Sequence, residues 1–245
     1  MSDRSYIDFR VDAGVAHMVF TRPETGNRYL LRHEPEILAT LDRISEDDEI
    51  HAVVVTGAGD EFGGCPAHEN DPYDPGVWYE RGLTIYKKWV GMEKPIVVAL
   101  NSAAHMALPL LSDIVIAERH VLIRDPHVLF GMAAGVGPYL WPLSVGLARA
   151  KRYLLLGDEM TADEAERFGL ISEVVDTGQS KAAAAALARR LASLDPVGVQ
   201  KTKRNLNDWL RLYWAPILAV GYGQEILHFP IEMAKGIPTV MPGNE

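Results

Sequence analysis

Eight histidines are spread through the 245 residues, and three of them sit where an imidazole could do chemistry. His33 lies just before Glu34, His105 in the loop that leaves a buried apolar strand, and His127 in Arg124-Asp125-Pro126-His127. An imidazole with an ordinary pKa of ~6.5 takes up and returns a proton near neutral pH. It can also donate to a carbonyl oxygen on which charge develops. Taken one at a time, each of the three is equally compatible with a satisfied core or loop histidine. His17, His51, His120 and His228 have no supporting context, and His68, in a long polar loop, reads as a surface residue. A zinc site would call for two ligands three to five residues apart, and positions 33, 105 and 127 contain no such pair, so no metal is expected. Cys65 is the only cysteine, which excludes an internal disulfide and a multi-cysteine zinc site. In its glycine-rich turn it reads as a small buried residue. Gly135 and Gly137 do not complete a G-x-G-x-x-G dinucleotide fingerprint after a strand, and no cofactor is implied.

The elements that must position these groups alternate between strands and helices. Tyr6 to Val11 and Val15 to Thr21 read as a hairpin about Asp12-Ala13-Gly14. Ile37, Leu38, Leu41 and Ile44 share one helix face within 34–47. Ala52 to Thr56 and Ile96 to Leu100 are short, buried, largely β-branched strands. Ile114–Glu118, Val121–Arg124 and Ile171–Val175 are further strands. Residues 57–75 form a long irregular connection of the kind that is usually functional. Helices are expected over 77–92, from the capping box Thr161–Glu164, over the alanine-rich 181–193, and through most of the chain to about Leu227. This alternation predicts an α/β domain with a parallel-type sheet covered by helices. The apolar content of Trp209, Leu210, Leu212, Tyr213, Trp214, Ile217 and Leu218 exceeds the needs of one amphipathic face and suits a subunit interface.

Composition narrows the classes. With 48% hydrophobic and 23% charged residues the chain is an ordinary globular protein of one large domain. A net charge of −9 argues against nucleic acid as a partner. No apolar run reaches the ~20 residues of a membrane span. MSDRSYIDFR lacks a signal peptide's apolar core, so no membrane partner and a cytoplasmic location are expected.

Four segments, in order and at matching spacing, resemble the crotonase (enoyl-CoA hydratase/isomerase) superfamily: VVVTGAGDEF at 53–62, KPIVVALNSA at 94–103, SDIVIAER at 112–119 and LLLGDEMTADEAERFGLISEVV at 154–175. The resemblance covers about residues 5–195. It implies a ββα-spiral core over 1–195, a C-terminal helical trimerisation region over 196–245 forming one structural unit with it, and assembly as a homotrimer or hexamer.

The chain departs from that family where its chemistry resides. The family stabilises an enolate with two backbone N–H groups. The first would fall at Pro66, in Phe62-Gly63-Gly64-Cys65-Pro66-Ala67, and proline has none. Such a donor is typically worth ~3 kcal/mol of transition-state stabilisation. The second normally sits in a triple glycine, which the stretch from Asn101 to Pro109 lacks. The two hydratase glutamates are absent as well: one would fall near Ala107, and the other is replaced by His127 after Pro126.

These features resemble a smaller branch, 6-oxocamphor hydrolase and related β-diketone hydrolases. The branch carries a histidine after the proline (His127), a second before an apolar-proline run ending in Ser112-Asp113 (His105), a third at the start of the first helix (His33) and a glutamate in the C-terminal helix (Glu225). The branch's aspartate in the glycine-rich turn is missing here, where Val136 or Gly135 stands, and Asp125 or Glu225 are the candidates to orient His127 in its place. The resemblance implies retro-Claisen hydrolysis of a C–C bond in a small apolar cyclic β-diketone. His127 would be the general base and acid, His105 and His33 carbonyl binders, and Glu225 a histidine orienter. Val128, Leu129, Phe130, Met132, Tyr139 and Trp141 would wall an apolar pocket. Two alternatives stand beside this: a CoA-thioester enzyme of the hydratase/isomerase type with atypical acid–base residues, and a catalytically silent binding protein on the same fold.

Overall fold

A computed structural model describes residues 5–29, 31–63, 75–102 and 106–234, with the side chains at 31, 75, 78, 209, 211–218 and 228–234 outside the described set. The chain opens with a hairpin of β1 (Ile7–Asp12) and β2 (Val15–Phe20). Its two-residue turn is Ala13-Gly14, with φ of 47° and 77°. Positive φ at both turn positions matches the right-handed twist of the strands, which is why the first strand runs one residue further than its alternation suggests. Helix α1 (Glu34–Glu46) buries Ile37, Leu41 and Ile44. There follow β3 (Ala52–Gly57), α2 (Pro75–Gly91), β4 (Ile96–Leu100), the one-turn α3 (Ala107–Leu110), β5 (Ile114–Glu118) and β6 (Leu122–Ile123). The second half holds α4 (Gly137–Val145), α5 (Leu147–Leu156), β7 (Met160–Thr161), α6 (Ala162–Phe168), β8 (Glu173–Val175), α7 (Ser180–Ala192) and α8 (Pro196–Ala234).

Six strands form one sheet in the order β1-β2-β3-β4-β5-β8. The hairpin is antiparallel and every other pairing is parallel, so the expected parallel-type sheet is in fact mixed at one edge. The central strands are buried on both faces, as their unbroken apolar runs require. Val53, Val55, Ile96 and Val98 join the main core. Val54, Val97, Ala99 and Ile116 point the other way, against Ala184 and Ala188 of α7. The alanines that make α7 a strong helix former also let its backbone approach the sheet closely. The capping box at Thr161 is complete: its side chain accepts from the Glu164 N–H, and the Glu164 carboxylate accepts from the Thr161 N–H. The expected strand at 121–124 shortens to β6, paired with β7, and its last residues leave the pairing to carry the segment around His127.

Helix α8 is a single helix of 39 residues. Near its start, Lys203 is buried and donates to Asp113 at 2.7 Å and to the Lys94 carbonyl at 2.9 Å. The same Asp113 oxygen accepts from the Ile96 N–H at 2.7 Å, so one carboxylate ties α8 to the start of β4. Further along, α8 packs on α2, with Tyr222 stacked on Tyr79 at 6.0 Å and edge-on to Tyr86 at 5.7 Å. The aromatic residues expected to form an interface, Trp209 and those at 212–218, have side chains outside the described set.

Asp113→Ala removes the carboxylate that pairs with Lys203 and accepts from the Ile96 N–H. It should lower unfolding free energy by about 3 kcal/mol in urea titrations, while Asp113→Asn should retain part of that.

Candidate active site

The parallel strands β3 and β4 end side by side, and polar side chains lock the loops that leave them. Asn27, fully buried at φ 53°, donates its side-chain amide to the carbonyls of Ala58 at 2.9 Å and Glu61 at 2.7 Å. The Tyr6 hydroxyl donates to the Asn27 carbonyl at 2.5 Å. A Cβ on Gly57 would overlap the Glu61 carbonyl, and one on Gly63 would overlap Asn27, so the loop closes only with glycine at both positions. Asn101 donates to the Gly59 carbonyl at 2.9 Å, and the Phe62 N–H donates to the Ser102 hydroxyl at 2.9 Å. The ends of β3 and β4 are thereby held against each other where ligands bind in parallel sheets, beyond the carboxyl ends of the strands. Asn27, Asn101 and Ser102 carry no chemistry-bearing signature in the sequence. The one hint is an Asn followed two residues before an aromatic, in a loop already marked by Pro23 and Gly26.

From β6 the chain runs through Arg124, Asp125 and Pro126 into a 3-10 turn, His127–Phe130, closed by Gly131 at φ 71°. The proline fixes the bend so that the carboxylate two residues back reaches forward. Asp125 Oδ1 accepts from the His127 backbone N–H at 3.3 Å and lies 2.5 Å from His127 Nδ1. From α8, Glu225 Oε1 lies 3.3 Å from His127 Nε2. The three side chains are only 12–14% exposed. A Cβ on Gly135 would overlap the Glu225 carboxylate, and one on Gly137 the Asp125 carboxylate. The glycine-rich turn thus makes room for both acids, and the space where an aspartate of the turn was sought is taken by Glu225. The Asp125 carboxylate also lies against the first residue of α4, where the helix dipole favours negative charge.

Burial alone would lower the His127 pKa. The charge of Glu225, hydrogen bonds to Asp125 and Glu225, and the charge of Asp125 outweigh it and hold the ring well above the ordinary histidine value. The two acidic side chains therefore favour the protonated form of the ring.

Asp125 and His127 line a narrow, partly open cleft whose apolar lining includes Met106, Ala107, Leu110, Val136 and Trp141. Of the residues expected to wall an apolar pocket, Trp141 does so. Leu129 is 54% exposed, because the 3-10 turn that presents His127 inward carries Leu129 outward, against Gly157. The structure brings His127 and Glu225 together, Nε2 to Oε1 at 3.3 Å. His33 is buried and stacked on Tyr6, with ring centroids 4.8 Å apart and planes within 8°, and is not among the residues lining this cleft. His105, Cys65, Pro66 and His68 lie outside the described residues. Beside His33, Glu34 is a titratable group that sequence reasoning took only as the start of a helix. It is buried, 3.4 Å from Arg81, and burial pushes its carboxyl up to about 7 against the opposing pull of Arg81. Among the described residues no group of three His, Cys, Asp or Glu has metal-holding geometry, and no helix is long and apolar enough to cross a membrane.

Residues 10–216 match the family model described as Enoyl-CoA hydratase/isomerase. The chain belongs to the enoyl-CoA hydratase/isomerase family. It is 30% identical over 217 residues to the 1,2-epoxyphenylacetyl-CoA isomerase of Escherichia coli (strain K12), covering 83% of this chain and 82% of that one. It is 30% identical over 211 residues to the (E)-benzylidenesuccinyl-CoA hydratase of Thauera aromatica, covering 81% and 80%. A crystal structure of an enoyl-CoA hydratase/isomerase from Mycobacterium paratuberculosis superposes with a TM-score of 0.80 at 29% identity, covering 92% of this chain and 94% of that one. The family's fold is the α/β crotonase fold expected from the four sequence segments. The names of these relatives favour the CoA-thioester alternative over the carbon–carbon hydrolase expected first, and none of the three is a diketone hydrolase.

Glu225→Gln removes the largest upward influence on His127. Its pKa, followed by imidazole NMR, should fall toward the ordinary histidine range. Because the folded-state value is raised, the stabilisation from His127 is complete below about pH 6.5 and is lost as pH rises through the folded-state pKa. The stability difference between wild type and His127→Gln should therefore shrink on the alkaline side. A difference that grows with pH would contradict the assignment.

Proposed function

We propose that the chain catalyses proton transfer on the acyl group of a CoA thioester, with Asp125, His127 and Glu225 as its acid–base centre and double-bond isomerisation as the reaction type. The observation that carries this reading is a single histidine ring with an acidic side chain at each of its nitrogens, on the wall of the cleft, in a chain of the enoyl-CoA hydratase/isomerase family. Hydration by the family's usual route employs two glutamates, and the resemblance places neither here: one would fall near Ala107, and His127 follows Pro126 where the other is expected. Isomerisation needs only that a proton leave one carbon and arrive at another. A flanking carboxylate takes the substrate proton, leaving an enolate, and the imidazolium delivers a proton to the more distant carbon. The carboxylic acid then returns its proton to the neutral ring. The cationic ring also lends positive charge beside the developing enolate, in a chain whose Pro66 offers no N–H.

A second reading, retro-Claisen cleavage of a cyclic β-diketone, is favoured by one observation. The Asp125–His127 pair is the arrangement that orients an imidazole to deprotonate water.

The two readings part in one paired assay. Purified protein is tested for binding and isomerisation of short enoyl-CoA thioesters, and for cleavage of cyclic 1,3-diketones. Thioester turnover that drops by roughly 10²–10⁴ in His127→Ala is the expected result. Diketone cleavage lost in that variant, with no thioester binding, would replace the first reading with the second.

A further inference from the structure

We infer that Gly221 is a positioning residue of the acid–base centre: at this point the bare backbone of α8 seats against the turn at Gly135, and that contact holds Glu225 within reach of His127. The inference rests on the acid–base role given above to Asp125, His127 and Glu225, and deepens it. Glycine is disfavoured inside a helix, so its place in the second half of α8 calls for a packing reason. Gly221 is buried. A Cβ there would overlap the ring of Tyr139 and would lie 2.8 Å from the Tyr139 hydroxyl and 2.6 Å from the Gly135 carbonyl oxygen. The tyrosine ring can turn away. The carbonyl belongs to the backbone of the turn, so a methyl at 221 is accommodated only by moving α8 or the turn.

The approach is reciprocal. A Cβ on Gly135 would overlap the Glu225 carboxylate and lie 3.0 Å from the Tyr222 Cα. Gly221 and Glu225 are four residues apart, so the face of α8 that touches the turn is the face that carries the carboxylate. On its other flank α8 meets α2 at a third glycine, where a Cβ on Gly82 would overlap the Tyr222 hydroxyl. The depth of α8 is thus set on both flanks at glycines, by close approach of backbone. Glu225 Oε1 stands 3.3 Å from His127 Nε2, at the outer limit of a hydrogen bond. Pushing α8 outward by about 1 Å takes the pair beyond that limit.

The test follows the His127 ring by NMR titration, with thioester turnover beside it, in wild type, Gly221→Ala, Gly223→Ala and Glu225→Gln. Gly223 is the matched control on the same helix, because a Cβ there meets only Tyr79, at an ordinary 3.5 Å. Gly221→Ala should lower the His127 pKa in the direction that Glu225→Gln does, and reduce kcat by roughly 10²-fold, the effect of a misplacement of about 1 Å. Gly223→Ala should match wild type in both. Adding Gly221→Ala to Glu225→Gln should move the ring no further, because the two act through one contact. If Gly221→Ala does not fold, its combination with Tyr139→Ala, which leaves only the turn carbonyl to displace, takes its place with the same expectation. A folded variant whose ring titrates as in wild type, or an equal shift in Gly223→Ala, overturns the inference and leaves the acid–base reading standing. A Glu225→Gln ring that titrates as in wild type overturns that reading, and the inference with it.

Discussion

Everything about this site depends on one buried arrangement, a histidine ring with an acidic side chain at each of its nitrogens. Removing a histidine from water normally drives it to the neutral form. Here Asp125 and Glu225, on opposite nitrogens of the ring, reverse that tendency. The arrangement is compact because neither acid competes with a side chain of the intervening turn: Gly135 and Gly137 leave room for the carboxylates. It is also interdependent, since taking away the ring would leave two acids buried side by side, and taking away either acid would leave the ring to the cost of burial.

The clamp links distant parts of the chain. Asp125 and His127 come from the segment that follows β6, and Glu225 from α8. Glu225 is placed only because α8 docks along α2 through Tyr222 and is anchored near its origin by Lys203 on Asp113. At the carboxyl ends of the strands, Asn27, Asn101 and Ser102 hold together the loops that leave β3 and β4. The sheet supplies the rigid frame, and buried hydrogen bonds at its carboxyl end convert strand order into a cleft.

Much of the frame was legible before any coordinates. The β-branched runs at 52–56 and 96–100, the capping box at Thr161 and the alanine-rich helix over 181–193 are dictated by local rules: propensity, capping and two-sided burial. The Asp125-Pro126-His127 contact is local too, because a proline-fixed bend brings a carboxylate to the residue two positions on. The relation of His33 to the site was not legible. Its place before α1 suggested a role at the site, but whether its ring faces the cleft or stacks on Tyr6 turns on how β1 packs beside α1, which no local pattern encodes. The wall of the cleft was misread for the same reason. A run of apolar residues after His127 is split by the 3-10 turn into inward and outward directions, and Leu129 goes outward.

The fold and the family could be read from the chain alone, because those depend on residue type and on spacing along it. That Asp125 and Glu225 both engage His127, and so raise its pKa, followed only from the packing. A pKa is set by the charges and solvent within a few ångströms, and those neighbours are chosen by the packing of α8 against the turn at Gly135, far away in sequence.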